Sequence, residues 1–141
     1  MNIEAVMKQH VVTAHPHTSV RAGLAAMAEA GVRHLPVVDE TGLLVGLVSQ
    51  LDLVRALDRM LVAGGARGDL EVGDVMSVSV FRATRKMPAS EAATLMIEHK
   101  IGALPVVDGN GRVIGIVSET DFLEIAREAL LGVNVEARAH A

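Results

Sequence analysis

Apolar residues follow two different periods along this chain. At Val20, Leu24, Met27 and Ala28 they recur at helical spacing behind Thr18 and Ser19, either of which can cap a helix, and Gly31 stands where a C-terminal cap belongs. Leu35 to Val38 and Leu43 to Val48 are instead short, continuously apolar runs. Joined by Asp39-Glu40-Thr41-Gly42, they have the pattern of two buried strands in a hairpin. Ser49 opens a second helical stretch with Leu53, Ala56, Leu57, Met60 and Leu61 as its apolar face. Upstream, Ile3 to Met7 is predicted as one helical turn and Val11-Val12-Thr13 as a short β-like run before Pro16.

The same order then recurs. Sixty-nine residues after Val32-Arg33-His34-Leu35-Pro36-Val37-Val38-Asp39 the chain reads Ile101-Gly102-Ala103-Leu104-Pro105-Val106-Val107-Asp108. Gly42, Gly46, Val48, Ser49 and Asp52 recur without a gap as Gly111, Gly115, Val117, Ser118 and Asp121, and Val6-Met7 recurs as Val75-Met76. The second copy is predicted to carry a turn at Val72 to Met76 and a strand around Val78 to Arg82. A helix from Ser90 to Lys100 with Pro88 near its first turn, a hairpin from Leu104 to Val117 and a helix from Glu119 to Leu131 stopped at Gly132 complete it. The units are residues 1–63 and 72–132, with a linker over 64–71 and a tail over 133–141. Each unit is too short to bury a full core alone, so two copies packed together are expected to make one pseudo-twofold α/β (α+β) module.

With 141 residues, 50% of them apolar, the chain can bury a substantial core, but Phe81 and Phe122 are its only aromatic residues. Val, Leu, Ile, Met and Ala must therefore fill that core, with Met27 and Met96 as packing residues, and no base-stacking platform is expected. A net charge of −4 opposes a phosphate-backbone binder, so nucleic acid is not expected as a partner. The absence of cysteine excludes disulfides, a thiolate zinc site and a Cys nucleophile. No apolar run approaches the ~18 to 20 residues of a membrane span, and the first residues lack the pattern of a secretory signal. The expectation is a cytoplasmic protein with no membrane partner.

Helix ends immediately before Leu-Pro-Val-Val-Asp, the segments Gly46 to Asp52 and Gly115 to Asp121, and the duplication itself resemble the cystathionine-β-synthase-type (CBS) domain over residues 1–131. A tandem pair of such units resembles a Bateman module. The resemblance implies two β-α-β-β-α units packed sheet to sheet, a homodimeric disc, and AMP, ADP or ATP bound in clefts between the units. Its alternatives are S-adenosylmethionine or another nucleoside derivative in the same clefts, or a structural dimerisation module whose clefts are degenerate. It names no effector protein.

Two readings of Ser49-x-x-Asp52 and Ser118-x-x-Asp121 stand side by side. The spacing is that of a helix cap with an acidic third residue, which stabilises any helix start. By resemblance, Asp52 and Asp121 also accept hydrogen bonds from the vicinal hydroxyls of a ribose, while Ser49, Ser118 and Thr120 at the helix starts face phosphate. Arg33 and His34 would set a cation against phosphate, with Asp52 in the same cleft. Gly102 and Ala103 occupy the equivalent positions, so the clefts are inequivalent and that of Arg33 is expected to bind about ten to a hundred times tighter.

Arg82, Arg85 and Lys86 form the densest basic cluster and are a second phosphate candidate or a solvated face; Thr13, Ala14, Arg82, Pro36 and Pro105 are weaker candidates for the adenine and its loop. His15-Pro16-His17 lacks a third metal ligand, His10, His99 and His140 have no evident partner, and no metal or catalytic constellation is expected. The apolar helical stretches Leu53 to Leu61 and Phe122 to Leu130 exceed what so small a chain can cover, which predicts a symmetric homodimer.

Overall fold

The computed structural model describes residues 1–64 and 69–132. The middle of the expected linker and the expected tail, with His140, lie outside the described residues. Helix α1 (Val20–Ala30) starts where the Ser19 hydroxyl accepts the Ala22 amide at 3.0 Å, and it stops at Gly31, whose φ of 67° is left-handed. Thr18 serves the preceding turn instead, accepting the His15 amide. Strands β1 (His34–Val38) and β2 (Leu44–Ser49) pair antiparallel with a register shift between Val37 and Val38. In their turn the Asp39 carboxylate accepts from the Thr41 hydroxyl and from the amides of Thr41 and Leu43. The Thr41 hydroxyl is the first reason that carboxyl stays below its ordinary range. Helix α2 (Gln50–Val62) completes the unit, burying Leu53, Ala56 and Met60, whereas Leu61 of its expected apolar face is 63% exposed.

The second copy follows with a one-turn α3 (Val72–Val75), α4 (Ala89–His99), β3 (Ala103–Val107), β4 (Val113–Ser118) and α5 (Glu119–Leu130). Helix α4 ends one residue before the expected Lys100, which takes Gly31's place as the left-handed cap with φ 53°. The opening strands expected at Val11-Val12-Thr13 and Val78 to Arg82 do not form. Each shrinks to one parallel bridge, Ala14 with Val37 and Ala83 with Val106, because only the amide and carbonyl of that alanine reach the hairpin.

Two cores result, and each borrows a piece of the other copy. Ile3, fully buried, packs with Ala92, Met96, Leu104 and Val117 of the second copy, while Val72 packs with Val20, Leu35 and Leu53 of the first. Burying a side chain such as Ile3 contributes roughly 1.5–3 kcal/mol, so the exchange is a substantial bond between the halves. Backbone bonds repeat it symmetrically: Lys8 pairs with Ile116 of β4, and Ser77 pairs with Leu47 of β2. This crossing explains two repeated glycines. A Cβ on Gly46 would stand 2.5 Å from Met76 Sδ and 3.0 Å from the Ser77 carbonyl; one on Gly115 would stand 2.6 Å from Met7 Sδ and 3.0 Å from the Lys8 carbonyl. At the hairpin tips the Leu44 amide donates to Gly111 and the Val113 amide to Gly42, each at 3.1 Å, closing the pseudo-twofold contact.

Candidate functional site

The turns between each first helix and its hairpin are tied to a helix start. The Gln50 amide donates to the Arg33 carbonyl at 2.8 Å, and the equivalent Glu119 amide donates to Gly102 at 3.1 Å. Because the hairpins face one another about the pseudo-twofold, these turns and both helix starts converge between the units. The result is one large cleft of about 620 Å³ and one small cleft of about 190 Å³.

Lys8, His10, Val11, Val12, Arg33, His34 and the start of α5 with Ser118, Thr120 and Asp121 line the large cleft, together with Ser49 and Leu51 from the start of α2. Arg33 therefore shares its cleft with Asp121 of the other unit and not with Asp52, correcting the expected pairing. Asp52 lines the small cleft with Ser77, Ile101 and Gly102, the same crossed relation in mirror. Crossing follows from packing across the twofold, which sets each turn against its partner's helix start.

Both carboxylates divide their oxygens. Asp121 Oδ2 accepts the Ser118 amide at 2.8 Å and the Ser118 hydroxyl at 3.2 Å, while Oδ1 is 3.4 Å from Lys8 Nζ. Asp52 Oδ2 accepts the Ser49 amide at 2.9 Å, and the Ser49 hydroxyl accepts the Asp52 amide at 3.1 Å. Capping thus occupies one oxygen and leaves the second for other partners, so the capping and ligand readings are compatible. Asp121 is only 5% exposed, the one buried charged side chain among the described residues, and Lys8 supplies its counter-charge from a 63% exposed position.

His34 borders both clefts, with its ring against Gly102, where a Cβ would meet Cε1 at 3.0 Å. Burial lowers its pKa below the ordinary 6.5, the Arg33 charge lowers it further, and Glu119 and Asp52 oppose the shift. The ring is accordingly neutral at pH 7, able to donate one hydrogen bond but adding no charge.

Other candidates lie elsewhere. Ala14, Pro36 and Pro105 are buried in the cores, while Thr13, Arg82, Arg85 and Lys86 are exposed and line neither cleft. His15 and His17 meet Glu40 and Glu71 at 3.3 and 3.4 Å, away from both clefts. Sequence reasoning missed Lys8. Its one signal was position: it follows the repeated Val6-Met7, where the other copy has Ser77. His10, without an evident partner in the sequence, also reaches the large cleft.

Two matched β-hairpins, exchanged opening turns and paired clefts define a duplicated module, and the sequence profile of the CBS domain matches residues 3–59 and again 72–128. The chain belongs to the CBS domain family. Among solved structures, the CBS domain pair of protein MJ0100 in complex with 5′-methylthioadenosine and S-adenosyl-L-methionine is similar with a TM-score of 0.81. It is 26% identical, over 92% of this chain and 98% of that one. CBSX2 of Arabidopsis thaliana in complex with AMP is similar with a TM-score of 0.77 and 32% identity, over 91% and 97% of the two chains. A curated relative, the L-aspartate semialdehyde sulfurtransferase of Methanocaldococcus jannaschii, is 29% identical over 85% of this chain. This chain spans only 22% of that enzyme's length.

Proposed function

We propose that this module is a regulatory sensor that binds an adenosine-containing ligand in the large cleft, with a nucleoside phosphate such as AMP, ADP or ATP as the preferred class. The observation that carries the reading is that Asp121, whose second oxygen is free of the helix cap and meets only Lys8, lines the same cleft as Arg33 on the facing turn. A carboxylate accepts from both hydroxyls of a ribose, and a guanidinium matches phosphate oxygens. Ser118 and Thr120 at the start of α5 and the neutral His34 add donors. Asp52 keeps the same cap geometry beside the small cleft. The AMP complex of CBSX2 supports a nucleotide, and the MJ0100 complex supports nucleoside derivatives more widely.

Occupancy favours the conformation with the tighter cleft and so reports ligand level to an effector. Neither cleft is expected to turn nucleotide over: nucleotide incubated with the purified module should be recovered intact. The reading includes a homodimer, because Val54 on α2 and Leu123 and Leu130 on α5 stay exposed, the last two at 68% and 86%. Sedimentation at micromolar concentration tests that part, and a clean monomer refutes it.

A thermal-shift panel of AMP, ADP, ATP, S-adenosylmethionine, 5′-methylthioadenosine and GMP tests the ligand. At a hundred times Kd, binding to the native state alone contributes about 2.7 kcal/mol, a readily measured rise in Tm. The phosphate-bearing adenosine compounds should raise Tm most; a flat panel refutes the reading.

A further inference from the structure

The two clefts differ threefold in volume although the backbone around them is duplicated. At the positions where the large cleft is walled by Val12 and Ala30, the sixty-nine-residue repeat places Phe81 and His99. Those two rings lie on each other, centroids 4.2 Å apart with 26° between their planes. The small cleft is lined by Ser77 and Ile101, their near neighbours in sequence, and its volume of about 190 Å³ falls below the roughly 300 Å³ at which ligand pockets begin. The large cleft, with an aliphatic residue and an alanine at these places, has about 620 Å³.

Resting on the nucleotide reading above, we infer that the Phe81–His99 stack fills the base-binding end of the second cleft, so that the chain binds one nucleotide and not two. The stack satisfies with its own rings the flat apolar contact that a purine would make. Asp52 keeps its geometry at the ribose end but has no room beside it for a base. Phe81 and His99 are thus specificity-determining residues that set the stoichiometry of the module, and neither belongs to the large cleft.

Calorimetry with AMP on the intact chain tests this. The wild type should bind one equivalent, and the double variant Phe81→Val, His99→Ala, which copies the wall of the first cleft, should bind two. Adding Asp52→Ala to the double variant should return it to one, whereas Asp121→Ala should remove the original site. Both wall residues are exposed, so thermal melting verifies that the variants remain folded. Two equivalents in the wild type overturn the inference and leave the nucleotide reading standing. So does a folded double variant that still binds one. No binding to the wild type at all removes the nucleotide reading and the inference with it.

Discussion

Replacing Arg33 with alanine removes the one full cation of the large cleft that no carboxylate holds among the described residues, since Lys8 is engaged by Asp121 and His34 is neutral at pH 7. A hydrogen bond to a charged group is worth about 1.5–3 kcal/mol. Arg33 is exposed, so solvent screening puts its share at the low end, near 1.5 kcal/mol, and about 1.4 kcal/mol is tenfold in affinity. AMP should therefore bind Arg33→Ala roughly tenfold more weakly. Adenosine, with the same ribose and base but no phosphate, should bind both proteins within about twofold.

Calorimetry with the two ligands at low and moderate salt separates the effects: the AMP difference should shrink as salt rises, and the adenosine result should not move. Asp121→Ala should weaken both ligands, because it removes the ribose acceptor, whereas Asp52→Ala in the wild-type background should leave AMP binding nearly unchanged. Equal losses for AMP and adenosine in Arg33→Ala would mean that the side chain shapes the cleft and does not meet phosphate. Loss of AMP binding in Asp52→Ala would refute the crossed pairing of Arg33 with Asp121.

Other outcomes follow from single contacts. Gly115→Ala forces a methyl to within 3.0 Å of the Lys8 carbonyl and should cost about 1–3 kcal/mol in urea denaturation. Gly109→Ala, with open space around it, should be near neutral, and equal effects would refute the crossing argument. Lys100→Gly relieves a left-handed φ of 53°, a conformation costing roughly 1–2 kcal/mol, against about 0.5–1 kcal/mol of added chain entropy, so a small net rise in Tm is expected. A fall in Tm would show that the Lys100 side chain contributes contacts the strain argument omits. Because His34 titrates lower in the folded than in the unfolded chain, the unfolded state binds more protons just below pH 6.5. Wild-type stability should decline as pH falls through 6.5 toward the folded pKa, and His34→Gln should flatten that decline; identical pH profiles would refute it.

Much of this architecture is present in local pattern. Helix spacing behind Ser19 and Ser49, left-handed glycine at 31, the Asp-Gly chemistry of both hairpin turns and the sixty-nine-residue repeat are consequences of neighbouring residues, and each forms where the pattern places it. The opening strands failed because a strand needs a partner along its whole length, and Val12 and Phe81 have one neighbouring bridge each. Ser49-x-x-Asp52 and Ser118-x-x-Asp121 were legible as caps, since a cap is closed within four residues.

What the sequence could not hold was which half of the molecule meets which. Ile3 is an apolar residue wherever it packs; only the tertiary fold sends it into the second core and Val72 into the first. The same crossing carries Lys8 to Asp121, sets Arg33 opposite the other unit's helix start and leaves Asp52 in the narrow cleft. Helix and turn signals act over a few residues, whereas these contacts join positions far apart along the chain. Their geometry depends on how two nearly identical apolar faces dock, and a repeat states the faces without stating the docking.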